Sequence, residues 1–340
     1  MSSWIRTEGS TKDSLVDVPD GYREMISEGM KCIGTLDCRL SRGRGTKEEN
    51  IELLKERIDT ADAIVVGAGS GLSTSAGLTY SGERFMTYFS DFHREYGITD
   101  IYSGGFFPFP DERIKWAWWS RHIYFNRYVD PPRSVYNDLL EILKDKDHFV
   151  VTTNVDHQFQ RAGFDKKRLF YTQGDYGLFQ CADGTENRTW DNEEWVMRAM
   201  EAQGFVKDEN GVFDLPEDGR ISIRIPTDLI PIDPGTGGPV AMNLRSDDTF
   251  VEDDGWRKAS AAYSDFLRRH KGLRVLFMEI GVGHNTPVII KYPFWQMTQE
   301  NPNATYACLS RSDPYCPKPI EDRSLCISGD FCDTLRVLEN

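Results

Sequence analysis

Residues 61–77, ADAIVVGAGSGLSTSAG, join a short apolar run to a glycine-rich turn, and this junction sets the architecture expected for the whole chain. Upstream, KEENIELLKERI puts Ile51, Leu54 and Ile58 at helical spacing, so a helix leads into a buried strand. The strand runs directly into Gly69, Ser70 and Gly71. A glycine-rich turn that opens a helix after a strand suits phosphate binding, because glycines admit close backbone approach and the first helical N–H groups face an anion. The spacing is not G-x-G-x-x-G, and a tight turn with no ligand remains the alternative.

The same alternation continues outward. SVYNDLLEILKDK precedes HFVVTTN, GWRKASAAYSDFLRRHK precedes LRVLFMEI, and ATYACLS and SLCISGDFCDTLRVLEN close the chain. Helices alternating with β-branched runs predict an α/β fold, a Rossmann-like, doubly wound parallel sheet covered on both faces. Glycines gather at the strands' carboxyl ends, where such sheets bind ligands. Residues 178–254 break the rhythm with Asp, Glu, Gly and Pro, and IRIPTDLIPIDPGTGGPV reads as short strands and turns, so a smaller inserted domain is expected there. The expected division is an N-terminal extension over 1–46, the Rossmann-like domain over 47–177 and 255–340, and the insertion over 178–254. Within the first part, 83–133, containing KWAWWSRHIYFNRY, is expected to be helical.

Composition narrows the function classes. The 340 residues are 39% apolar with eight Trp and nineteen Phe, enough for a substantial core. A formal net charge of −14 repels nucleic acid and anionic membranes at long range, so neither is an expected partner. No apolar run approaches the roughly 20 residues that span a bilayer, and the first residues lack signal-peptide character, which makes the cytoplasm the expected location. Seven cysteines without a C-x-x-C pair suit reduced thiols.

Three further motifs carry chemistry. TTNVD ends the HFVV strand with Asn154 and Asp156 two apart, facing one cleft if strand geometry persists, or capping the next helix. TQGD presents Gln173, a strong hydrogen-bonding amide that takes no proton at physiological pH. IGVGHNTP ends another strand in glycines, and its lone His284 is more often a packed or solvated side chain than a catalyst.

Taken in order, these motifs resemble the sirtuin family. Gly69-Ser70-Gly71-Leu72-Ser73 followed by Thr74-Ser75-Ala76-Gly77 is similar to the sirtuin G-A-G-x-S…S-A-G signature, Thr152–Asp156 to T-Q-N-x-D, and Gly281-Val282-Gly283 stands where sirtuins have G-T-S. GLTYSGERF, TQGDYGL, MNLRSDDTFVEDDGW and MEIGVGHNTPVIIKYPFW resemble the macrodomain-linked, class M subgroup. The departures are informative. Gln173 replaces the sirtuin histidine, which in deacylation accepts a proton from the nicotinamide ribose and needs a pKa near working pH. The Pro-Asp-Phe-Arg motif gives way to Thr79-Tyr80-Ser81-Gly82, with Arg84 and Phe85 as its substitutes. Of four zinc-ligand positions in a zinc-ribbon-like small domain, Cys181 survives beside Thr185, Asp233 and Thr236, a poor zinc set, so no metal is expected.

The resemblance implies NAD as a cosubstrate cleaved at the nicotinamide–ribose bond. It gives Asp156 the carboxamide, Asn154 the ribose hydroxyls or the attacking group, and Gln173 an orienting role. It assigns cofactor contacts to Gly69, Ser70, Gly71, Leu72, Ser73, Gly77, Arg84, Phe85, Thr153, Gly281, Val282, Gly283, Asn285, Ser310, Asp330 and Phe331. The implied activity is mono-ADP-ribosylation of a lipoyl-carrier protein of the glycine-cleavage type, with removal by a partner macrodomain. NAD glycohydrolysis, weak deacylation and binding without chemistry are the competing readings.

Overall fold

The Lys47–Thr60 helix opens on a reciprocal cap. Thr46 Oγ1 accepts from the Glu49 N–H, and the Glu49 carboxylate accepts from the Thr46 N–H at 2.7 Å. Its buried face is Ile51, Leu54 and Ile58, and the chain passes into Ala63–Ala68, every residue of which is buried. Unbroken burial marks a strand covered on both sides.

A computed structural model, describing residues 39–283 and 287–339, places that strand inside a six-stranded, all-parallel sheet. The order across it is Ser324–Ser328, Thr305–Ser310, Val275–Ile280, Ala63–Ala68, His148–Thr152, Leu169–Tyr171. The sheet therefore grows one way from Ala63–Ala68 and, after the chain returns, the other way from Val275–Ile280, as in a doubly wound Rossmann-like fold. The Lys47–Thr60, Val135–Leu143 and Phe331–Glu339 helices pack on one face. Asp254–Arg269 and Lys291–Glu300 pack on the other. Every helix–strand pair expected from the apolar spacing is present.

Residues 83–133 hold the Glu83–Tyr96 and Glu112–Ile123 helices. Their Phe85, Phe89, Phe92, Trp116 and Trp118 share one core with Phe179, Val196, Met200, Phe213 and Met242. Arg121, 0% exposed, crosses this core and donates to Asp91, to Gln203 Oε1 and to the carbonyls of Tyr88 and Ser222. The strands Gly174–Cys181, Thr189–Asp191 and Val240–Leu244 form an antiparallel sheet, joined by the Glu193–Gln203 helix. Over 223–240, where short strands and turns were expected, the backbone holds turns at Thr227–Leu229 and at 234–236, an isolated Ile232–Pro239 bridge and, at its last residue, the start of the Val240–Leu244 strand. Pro226, Pro231, Pro234 and Pro239 have no N–H to give a ladder.

Of the expected extension, residues 1–38 lie outside the described residues, and Leu40–Ser41 pairs antiparallel with Cys316–Pro317. Among the described residues no helix is long and apolar enough to cross a membrane.

Candidate active site

The carboxyl ends of Ala63–Ala68 and Val275–Ile280, where the sheet reverses its direction of growth, carry the two glycine turns. They bind each other: the Gly69 N–H donates to Ile280 O at 3.0 Å and the Gly71 N–H to Gly281 O at 2.9 Å. A Cβ at Gly69 would lie 2.7 Å from Gly281 O, and one at Gly71 would lie 2.7 Å from Gly281 Cα. The approach of one turn to the other is thus a sufficient cause for these glycines. At Gly283 no atom of the described residues lies within 4 Å of the place of its missing Cβ. Ser70 is exposed, Val282 half-buried and Leu72 fully in the core.

Ser73 is the hub of the site. Its hydroxyl donates to Asp156 Oδ2 at 2.5 Å. With its one proton so engaged, it must accept the two remaining bonds, from Tyr136 Oη at 2.9 Å and from Asn154 Nδ2 at 3.1 Å. Asn154 Nδ2 also donates to Gly69 O at 3.1 Å. Asn154 and Asp156 thus meet on a serine 81 and 83 residues away in the chain, although the strand geometry under which they were expected to face one cleft ends at Thr152. The Asn154 Oδ1 accepts no hydrogen bond from the described residues. Asp156 Oδ1 accepts the Gln158 N–H at 3.2 Å. Burial pushes the Asp156 carboxyl up to about 6, against the downward pull of Ser73 and of the Gln158 N–H.

Gln173 stands at the next strand end and is half-buried. Among the described residues its side-chain amide reaches only Thr172 Oγ1, at 3.4 Å, while its carbonyl accepts the Arg245 N–H at 3.0 Å. Gly174 follows at φ 96°, and a Cβ there would lie 1.9 Å from Asn243 O. The amide is thus held at its backbone and loose at its tip. Thr153 and Ser310 complete the row of strand ends, bonded through the Thr153 N–H to Ala68 O and through Ser310 O to the Gly329 N–H.

Other expected contacts lie apart. Phe85 is in the aromatic core, stacked on Phe89 at 5.8 Å. Arg84 turns inward, donating to Thr79 O and Asn126 Oδ1 at 3.0 Å each and to Phe125 O. It walls a cleft of about 510 Å³ with Gly77, Leu78, Tyr88, Phe125 and Pro132. Asp330 forms a two-bond ion pair with Arg133 at 2.7 and 2.8 Å, and Phe331 is core. Asn285 and His284 lie outside the described residues.

Sequence reasoning missed the tyrosines. Tyr136 meets Ser73, and Tyr80 and Tyr176 share a hydroxyl–hydroxyl bond of 3.0 Å. Tyr136 sits in a helical and Tyr176 in a strand pattern that accounts for it as packing, and Tyr80 lies in the bend before the Glu83–Tyr96 helix, so no local signal marks any of them. His122 packs against Tyr176 with ring centroids 4.8 Å apart. Burial, then the nearby Arg84, pushes its pKa down to about 3, too low to replace the missing base.

At the zinc-ligand positions, Cys181 Sγ donates to Asp183 Oδ1 at 2.7 Å. Asp233 Oδ1 accepts from the Gly235 N–H at 2.7 Å, the Thr236 N–H at 3.1 Å and the Arg188 guanidinium. No group of three or more His, Cys, Asp or Glu able to hold a metal ion occurs among the described residues.

No protein-family model matches the chain. A protein ADP-ribosyltransferase of Staphylococcus aureus is 32% identical over 286 residues, 84% of this chain and 85% of that protein. A probable bifunctional ADP-ribose hydrolase/ADP-ribosyltransferase of Fusarium oxysporum f. sp. cubense is 27% identical over 99% of this chain, which spans 56% of that protein's length. The structure of a Sir2 homologue–NAD complex superposes with a TM-score of 0.52 at 15% identity, over 85% of this chain and 92% of that one, a likeness of fold.

Proposed function

This chain belongs to the protein ADP-ribosyltransferases and has the sirtuin fold, and on that premise we propose that it cleaves NAD and transfers a single ADP-ribose to a side chain of a lipoylated carrier protein. The observation that carries this reading is the meeting of Asn154 and Asp156 on Ser73 beside a Gln173 that cannot take a proton. Departure of neutral nicotinamide takes the electron pair of the glycosidic bond and leaves positive charge on the ribose. The site's task is to hold the carboxamide, shield the cation from water and present a nucleophile to the opposite face. In this reading the Asp156 carboxylate accepts from the carboxamide NH₂, and Asn154 Oδ1 accepts from a ribose hydroxyl or the incoming group. Gln173 orients the nucleophile, which forms the new bond to the ribose carbon and then loses its own proton. Deacylation, which needs a base to start the ribose hydroxyl's attack, is disfavoured by the same glutamine.

The Fusarium relative's description joins ADP-ribose hydrolase and ADP-ribosyltransferase in one protein, which supports a macrodomain hydrolase as the partner that removes the mark. A cytoplasmic setting belongs to the same reading and suits the free cysteines at 181, 308, 316, 326 and 332. The test is incubation with labelled NAD and a lipoylated carrier protein, followed by mass spectrometry. An ADP-ribose adduct that Asn154→Ala abolishes is the expected result. Free ADP-ribose at a comparable rate without an adduct would make the protein a glycohydrolase, and NAD binding without nicotinamide release would make it a sensor.

A further inference from the structure

His157 follows Asp156 directly and, among the described residues, is alone outside glycine in having a positive φ, 62°. A residue with a Cβ is strained there and glycine is not, so a histidine that persists in this conformation is held by something else. Its Nδ1 is hydrogen-bonded to Asp175 Oδ2. The other oxygen, Oδ1, accepts from Arg127 Nε and from the Gly177 N–H, each at 2.7 Å. Asp175 is 4% exposed. Burial alone would raise its pKa, but the His157 bond and the Arg127 charge outweigh it and hold the carboxyl below its ordinary value. An anionic carboxylate only accepts, so the imidazole carries its proton on Nδ1 and donates.

This network joins the two segments on which the reaction depends. Asp175 lies two residues after Gln173, and His157 is adjacent to Asp156 and three residues from Asn154. The segments also share a backbone bond, from the Tyr176 N–H to Val155 O at 2.8 Å. Gly177 makes room for the anchor, since a Cβ there would lie 2.0 Å from Arg127 Nε. We propose that His157 is a positioning residue: its bond to Asp175, which Arg127 anchors, locks the loop of Asn154 and Asp156 against the turn of Gln173 in the arrangement that cleaves the nicotinamide–ribose bond. This rests on the site assigned under Proposed function.

A residue needed only for the turn would be served best by glycine, and this separates the two roles. Asparagine tolerates the left-handed region and places Nδ2 the same number of bonds from the backbone as the histidine's Nδ1, so it can restore the link. The experiment measures nicotinamide release from NAD by the full chain, with urea midpoints, for His157→Gly, His157→Asn and Asn154→Ala. His157→Gly should keep or raise the midpoint and leave KM for NAD unchanged, while kcat falls roughly tenfold to a hundredfold, the cost of a displaced catalytic group. His157→Asn should recover most of that loss. Full kcat in His157→Gly, or a His157→Asn no better than it, overturns the proposal. Should His157→Gly fail to fold, Asp175→Asn must show the same kcat loss at unchanged KM, and full activity there overturns the proposal instead. Asn154→Ala keeps the two readings distinct. If it releases nicotinamide normally the site assignment fails, whereas if it is inactive beside a fully active His157→Gly, only the positioning role fails.

Discussion

The role proposed for Asp156 would couple the reaction to the stability of the fold. It is 5% exposed, and burial raises its carboxyl from 3.8 to about 6. A folded pKa above the unfolded one means that the native state binds the proton more tightly, so this group's contribution to stability is lost as pH rises from about 4 through about 6. Integrating the two titrations, the ionised carboxylate costs about 1.6 kcal/mol at roughly pH 5 and about 3 kcal/mol at roughly pH 7.5. Asp156→Asn removes the titration while its amide can still accept from Gln158 and donate to Ser73. Urea unfolding of both proteins at the two pH values should show the stability of the variant relative to wild type rising by about 1.4 kcal/mol between them. Wild-type kcat/KM for nicotinamide release should fall on the acid side of roughly pH 6, about tenfold per unit, and Asp156→Asn should be inactive throughout. A difference in stability that does not change with pH, or an acid limb in the ordinary carboxylate range, would refute the reasoning that burial at Ser73 sets this group's charge.

Gly174→Ala should lose at least about 2 kcal/mol of stability, because φ is 96° and the new Cβ would meet Asn243 O at 1.9 Å; a urea midpoint within error of wild type would contradict the packing at that turn. A chelator should leave the thermal midpoint unchanged, since Asp233 Oδ1 is held by Arg188 and by the Gly235 and Thr236 N–H groups. Arg188→Ala should lower that midpoint, and a chelator effect on wild type would show that a metal is bound after all.

The sheet was legible because its information is local. Ala63–Ala68, His148–Thr152 and Val275–Ile280 are short, mostly apolar runs that the fold buries throughout, and the Thr46–Glu49 cap and the helical spacing of Ile51, Leu54 and Ile58 lie within a turn or two of one another. Glycines at strand ends and the carboxylate–amide pair in TTNVD likewise lie together at the carboxyl ends of the strands. In the proline-rich stretch 223–240 the expected turns formed while strand pairing shrank to one isolated bridge and the first residue of Val240–Leu244, since its prolines deny the ladder its donors.

By itself, then, the sequence determined the alternating α/β order, the gathering of glycines at the strands' carboxyl ends, and the presence at position 173 of an amide that takes no proton. Only the tertiary structure decided that Gly69 and Gly71 answer to Gly281, that Ser73 gathers Asn154, Asp156 and Tyr136, and that His157 is held at positive φ by Asp175 and Arg127. The physical reason is range. Helix caps, turns and strand periodicity are set by residues a few positions apart, whereas a buried hydroxyl's partners and a carboxylate's charge depend on groups that the fold brings in from dozens of residues away.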